Sequence, residues 1–86
     1  MDIDLQRKRL LYRANYRGFR EADLLIGGFA KAHVRDMSEE ELTEFESLLK
    51  YPDRELYAWA TGTAEPPANV PTTVLERLRR FDLRNP

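Results

Sequence analysis

The side chains best suited to chemistry lie close together, in the run Tyr16-Arg17-Gly18-Phe19-Arg20-Glu21 and in Asp23 just beyond it. Two guanidinium groups and two carboxylates thus surround one glycine. Charged donors and acceptors of this kind make hydrogen bonds roughly twice as strong as neutral ones, and arginine can meet a planar partner with two parallel bonds. Glu21 and Asp23 are two apart on a helix and point to different sides, so they do not form the paired-carboxylate arrangement used for acid–base work. The set suits docking onto a polar surface better than bond-making. On residue types alone two readings stand side by side: a capped turn with solvated charges, and a protruding polar patch that docks on another protein.

Other candidates for chemistry have plainer explanations. His33 is the only histidine, and no serine has a base and an orienting acid beside it, so His33 reads as a surface or packing residue. Glu39, Glu40 and Glu41 stand where the dipole of a following helix favours negative charge, which accounts for them without a metal. Tyr12, Tyr16, Phe19, Tyr51, Tyr57 and Trp59 fall at helical spacing and are expected mostly in the core. Tyr16 and Phe19 are the exceptions, since they flank the turn and cannot both face inward. A DNA-reading helix-turn-helix needs basic and amide side chains on its second helix, whereas EADLLIGGFAKAH is acidic at its start and apolar afterwards.

The elements that position these residues follow from the apolar spacing. Ile3, Leu10, Leu11 and Ala14 line one face of a helix over about residues 4–16, with Arg9, Arg13 and Arg17 on another face. Gly18 suits the stop, because it takes the left-handed conformation without steric cost. A second helix over about 20–34 carries Leu25, Phe29 and Ala32 in one row, broadened by Leu24, Ile26, Ala30 and Val34. Gly27 and Gly28 lie inside it and are expected to permit close helix approach. Ser38 with Glu41 forms a capping box ahead of Leu42, Phe45, Leu48 and Leu49. A fourth helix begins near Pro52 and Asp53, buries Leu56, Trp59 and Ala60, and stops at Gly62. After the loop TAEPPANVP, Thr73 with Glu76 offers a second capping box for a helix carrying Val74, Leu75, Leu78 and Phe81. No period-2 run and no internal repeat is present. The expected fold is all-α, about five short helices in one compact bundle forming a single domain over residues 1–86.

Size and charge limit what such a bundle can do. At 86 residues only roughly 60–65% of the unfolded chain's surface is buried, which argues against a deep substrate cavity. The absence of cysteine excludes disulfides and thiolate chemistry. No apolar run approaches the ~20 residues of a bilayer span, and the N-terminus is already patterned as fold rather than leader. The net charge of −1 is unevenly spread: residues 1–20 hold six Arg/Lys against two Asp, and residues 21–65 hold four against eleven acids. A basic first helix on a near-neutral body predicts a local contact with an acidic or polar partner, not the broad basic footprint of a nucleic-acid binder.

The segment RKRLLYRANYRGFREADLLIGGFAKAH resembles the FAD assembly factor family of succinate dehydrogenase, whose signature Arg-Gly-x-x-Glu stands here as Arg17, Gly18 and Glu21. The resemblance continues through MSEEEL, through DRELYAWATG with its Asp53 and Trp59, and through LERLRRF, in the same order over roughly residues 7–83. It implies a chaperone-like factor, not an enzyme, that binds the flavoprotein subunit of succinate dehydrogenase, with fumarate reductase as a possible further client. Such a factor promotes covalent attachment of FAD to its client and holds no stably bound cofactor of its own. Carried over by position, the client-binding residues are Arg17, Gly18 and Glu21, with Arg20, Asp23, Tyr16 and Phe19 beside them. Phe19 falls at a variable position of the signature. The turn is expected to enter the client's interdomain cleft and favour its flavinylation-competent conformation. Mitochondrial members carry a targeting extension and a longer tail, so the expectation for this chain is a bacterial cytoplasmic monomer without membrane insertion. The alternative is a generic helical interaction module that uses the same turn on another partner.

Overall fold

The computed structural model describes residues 3–15 and 18–81. Five α-helices follow one another: α1 (Ile3–Asn15), α2 (Arg20–His33), α3 (Glu39–Leu49), α4 (Asp53–Thr61) and α5 (Thr73–Arg80), with a short 3₁₀ turn, Val34–Asp36, after α2. There is no strand among the described residues. α1 packs on α2 and α3, α5 bridges α3 and α4, and α2 also touches α4. The all-α expectation therefore holds, with helix ends within one or two residues of those read from the sequence.

One apolar cluster holds these helices together, with Phe29 of α2 at a crossing of elements. Its ring meets Phe45 of α3 edge-on at 5.6 Å and Phe81, beyond α5, at 5.7 Å. His33 lies against the same group, 5.0 Å from Phe29 and 5.7 Å from Phe81, which makes it the packing residue expected of a lone histidine. Aromatic pairs in this geometry contribute about 0.5–1.5 kcal/mol beyond the area they bury.

Two helix ends behave as their sequences require. Ser38 Oγ accepts from the Glu41 N–H and Glu41 Oε1 accepts from the Ser38 N–H, both at 3.1 Å, completing the capping box of α3. Gly62 has φ +79° at the end of α4; its N–H reaches Trp59 O and the Thr63 N–H reaches Ala58 O, the paired bonds of a Schellman stop.

Other expectations are corrected. The buried row of α2 is Ala22, Ile26, Phe29 and Ala30, while Leu24 is 51% exposed and Leu25 only partly buried. The reason lies at Gly27, whose missing side chain lets α1 approach: a Cβ there would sit 3.2 Å from the Asn15 Cα and 3.0 Å from its Cγ. That close crossing sets the rotation of α2 and turns Leu24 outward. Tyr12, expected in the core, is 68% exposed, because it lies about 200° around α1 from both Leu10 and Ala14. The box at Thr73 and Glu76 does not form. Thr73 is already inside α5, Thr72 makes no side-chain cap, and Glu44 of α3 accepts the Val74 N–H instead. Glu76 turns to Arg79, at 3.4 Å.

Part of the positive charge assigned to an outside partner is used internally. Arg7 donates to the backbone carbonyls of Val34 (3.2 Å) and Met37 (3.1 Å), satisfying oxygens around the 3₁₀ turn. In α5, outside that basic element, Arg77 pairs with Glu41, and Arg79 donates to Trp59 O at 2.7 Å. Lys8, Arg9, Arg13 and Arg20 remain exposed.

Candidate functional site

The turn into α2 begins with a residue that caps poorly. Phe19 occupies the N-cap position in extended backbone (φ −153°, ψ 158°), has no hydroxyl or carboxylate to offer the helix, and makes no side-chain cap. Its carbonyl still accepts the first helical bond, from the Asp23 N–H at 3.0 Å. Arg20 and Glu21 follow at the first two helical positions, both exposed, while Ala22 is fully buried beneath them and Asp23 is half-buried. Ala22 anchors the helix start and the two charged residues face outward from it. The acids of this first turn interact favourably with the helix dipole.

α4 supplies the ground on which the turn rests. The ring of Phe19 meets the ring of Tyr57 edge-on, with centroids 5.2 Å apart and planes at 74°. Of the two aromatics flanking the turn, Phe19 therefore turns inward. Gly18 is exposed, yet a Cβ placed on it would overlap the carboxylate of Asp53, lying on Oδ2 and 3.4 Å from Cγ. A side chain at position 18 would therefore have to turn the end of the Asp53 side chain aside. The left-handed conformation expected of Gly18 depends on the position of Arg17, which, like Tyr16, lies outside the described residues.

Of the seven predicted site residues, the structure brings Gly18, Phe19, Arg20, Glu21 and Asp23 into one short segment at the α1–α2 junction. Asp53 and Tyr57 were not assigned to that site from the sequence. The signal for them was a Pro-Asp helix start, which explains Asp53 locally and gives no hint that its carboxylate faces a turn 35 residues earlier. Their spacing of four does place them on one face of α4.

Chemically, what the segment presents is suited to recognition. Among the described residues it offers the exposed guanidinium of Arg20 and the exposed carboxylate of Glu21 on a backbone that rests against α4, a geometry for charge-assisted hydrogen bonds. His33 stands at the other end of α2, about 20 Å from Arg20 at 1.5 Å per residue. Among the described residues no group of three or more His, Asp or Glu side chains is placed to hold a metal ion, and no helix is long and apolar enough to cross a membrane.

Comparison with known proteins fits this turn and its supporting helices into a larger pattern. Residues 8–82 match the sequence family described as "Flavinator of succinate dehydrogenase". The FAD assembly factor SdhE of Acetobacter pasteurianus is 45% identical over 77 residues, covering 90% of this chain and 71% of that protein. The mitochondrial succinate dehydrogenase assembly factor 2 of Debaryomyces hansenii is 48% identical over 59 residues, covering 69% of this chain and 42% of its own length. Its counterpart in Dictyostelium discoideum is 34% identical over 85 residues, covering 99% of this chain and 60% of that protein. The chain thus spans most of the bacterial relative and about half of the two mitochondrial ones. With the family matched over residues 8–82 and the bacterial relative 45% identical over 90% of the chain, the chain belongs to the succinate dehydrogenase flavinator family of FAD assembly factors.

Proposed function

We propose that this protein binds the flavoprotein subunit of succinate dehydrogenase through the turn at Arg17–Glu21 and promotes covalent attachment of FAD to that subunit. The observation that carries the reading is the exposed pair Arg20 and Glu21 on a turn seated against α4, in a chain of the flavinator family. The factor acts as a chaperone, with no catalytic side chain and no resident cofactor. By binding one client conformer more tightly than the other it shifts the client toward the form competent for flavinylation, by no more than its differential affinity. Arg17, Glu21 and their neighbours Arg20 and Asp23 hydrogen-bond polar groups that the client exposes before closure. The protein works as a monomer in the bacterial cytoplasm, and a fumarate reductase flavoprotein is a second client.

The test reads covalent flavin directly. The flavoprotein subunit is expressed in cells lacking the factor, the wild-type chain or its Gly18→Arg variant is added back, and flavin fluorescence is measured in the denatured subunit band. Wild type restores flavin and folded Gly18→Arg does not. Equal fluorescence in every lane, at limiting factor and normal growth, rejects this client.

A further inference from the structure

We propose that Asp53 and Tyr57 of α4 are positioning residues for the turn, so that α4, as well as the turn's own backbone, sets where Arg20 and Glu21 are presented. Two contacts carry this. The Asp53 carboxylate fills the space a side chain at position 18 would need, and Tyr57, one helical turn further on, packs edge-to-face with Phe19. A wall and a floor on successive turns of one helix thus hold Gly18 and Phe19, the two residues directly ahead of Arg20. Phe19 makes no side-chain cap, so tertiary contact replaces the local restraint that Ser38 gives α3. Asp53 itself stands in the first turn of α4, which has no side-chain cap, where its negative charge suits the helix dipole.

This inference rests on the proposed client, and its test separates the two. Binding of the succinate dehydrogenase flavoprotein subunit is measured for Gly18→Ala, Asp53→Ala, the double variant and Glu21→Lys, each with a thermal melt. Gly18→Ala weakens binding about threefold, because its methyl group turns the carboxylate aside and loosens the wall beside the turn. Asp53→Ala, which removes the wall, weakens it about threefold. In the double variant the new methyl group occupies the vacated volume, so binding is no weaker than in Gly18→Ala alone; coupling of this kind is what a shared space produces. Single-variant losses that simply multiply in the double variant overturn the proposal.

The conservative variants decide the role even if Gly18→Ala fails to fold. Asp53→Asn keeps the shape and Tyr57→Phe keeps the ring, so both bind within about twofold of wild type, whereas Asp53→Ala and Tyr57→Leu do not. Loss in Asp53→Asn as large as in Asp53→Ala, with the Arg20 and Glu21 amide resonances unmoved, means that the charge meets the client directly, and rejects positioning. In the free protein, Asp53→Ala and Tyr57→Leu shift the backbone amide resonances of Arg20 and Glu21 while the fold is kept, Tyr57→Leu melting a few degrees lower for its lost ring pair; unmoved resonances reject the proposal without reference to any client. Failure of wild type itself to bind the flavoprotein, with those resonances shifted as expected, rejects the client and leaves the positioning role standing.

Discussion

The starts of α2 and α3 solve the same problem in opposite ways. Both must satisfy the free N–H groups of a helix beginning. α3 does so with its own residues, through the reciprocal bonds of Ser38 and Glu41. α2 begins at Phe19, which offers its helix no cap and leans on Tyr57 of another helix. The first solution is local and leaves the α3 start as a stability element. The second leaves Arg20 and Glu21 exposed and makes their position a property of the packed molecule. A site whose job is presentation can therefore sit where local capping is weak, provided that another element holds it.

The largest effect expected is on the packing that orients α2. Gly27→Val drives a branched side chain into Asn15 of α1 and lowers stability by about 2–3 kcal/mol, read as a fall in the urea midpoint, with client binding lost in proportion to unfolding. Unchanged stability means that α1 and α2 are not locked at this crossing. Next, Glu21→Lys weakens flavoprotein binding by about 2 kcal/mol, roughly 30-fold, and leaves the melting temperature where it was, since the residue is exposed. Ser38→Ala does the reverse, costing about 1 kcal/mol of stability without touching client affinity. Should both variants move both quantities, the division between a presenting turn and a stabilising cap collapses.

The smallest effect is a pH dependence confined to the α3 start. The Ser38 N–H holds the Glu41 carboxyl below its ordinary value of 4.5, and Arg77 adds to the lowering. The folded pKa lies below the unfolded one, so the stabilisation is present above pH 4.5 and is lost as pH falls through the lowered folded value. Urea midpoints for wild type and Glu41→Gln should differ near neutral pH and converge at acid pH. A constant difference down to acid pH would show that the carboxylate's charge contributes nothing to the cap.

How far the sequence could be read depends on the range of the interaction concerned. The capping box at Ser38, the left-handed stop at Gly62 and the buried faces of α3 and α4 were legible because each is fixed within a turn or two of chain. The second capping box was not, because Glu44, 29 residues before Thr73, competes successfully for the start of α5. Leu24 was misplaced because helical periodicity gives the width of an apolar face but not its rotation, which Gly27 fixes against α1.

The candidate site divides along the same line. The sequence by itself determined that a glycine, two arginines and two acids stand together at the junction of two helices. Only the tertiary structure decided that Gly18 faces the carboxylate of Asp53, that Phe19 turns inward onto Tyr57, and that Arg7 is drawn off to backbone carbonyls while Arg20 stays exposed. Those outcomes depend on how helices far apart in the chain come to lie against one another, and residue spacing within a helix carries no information about that.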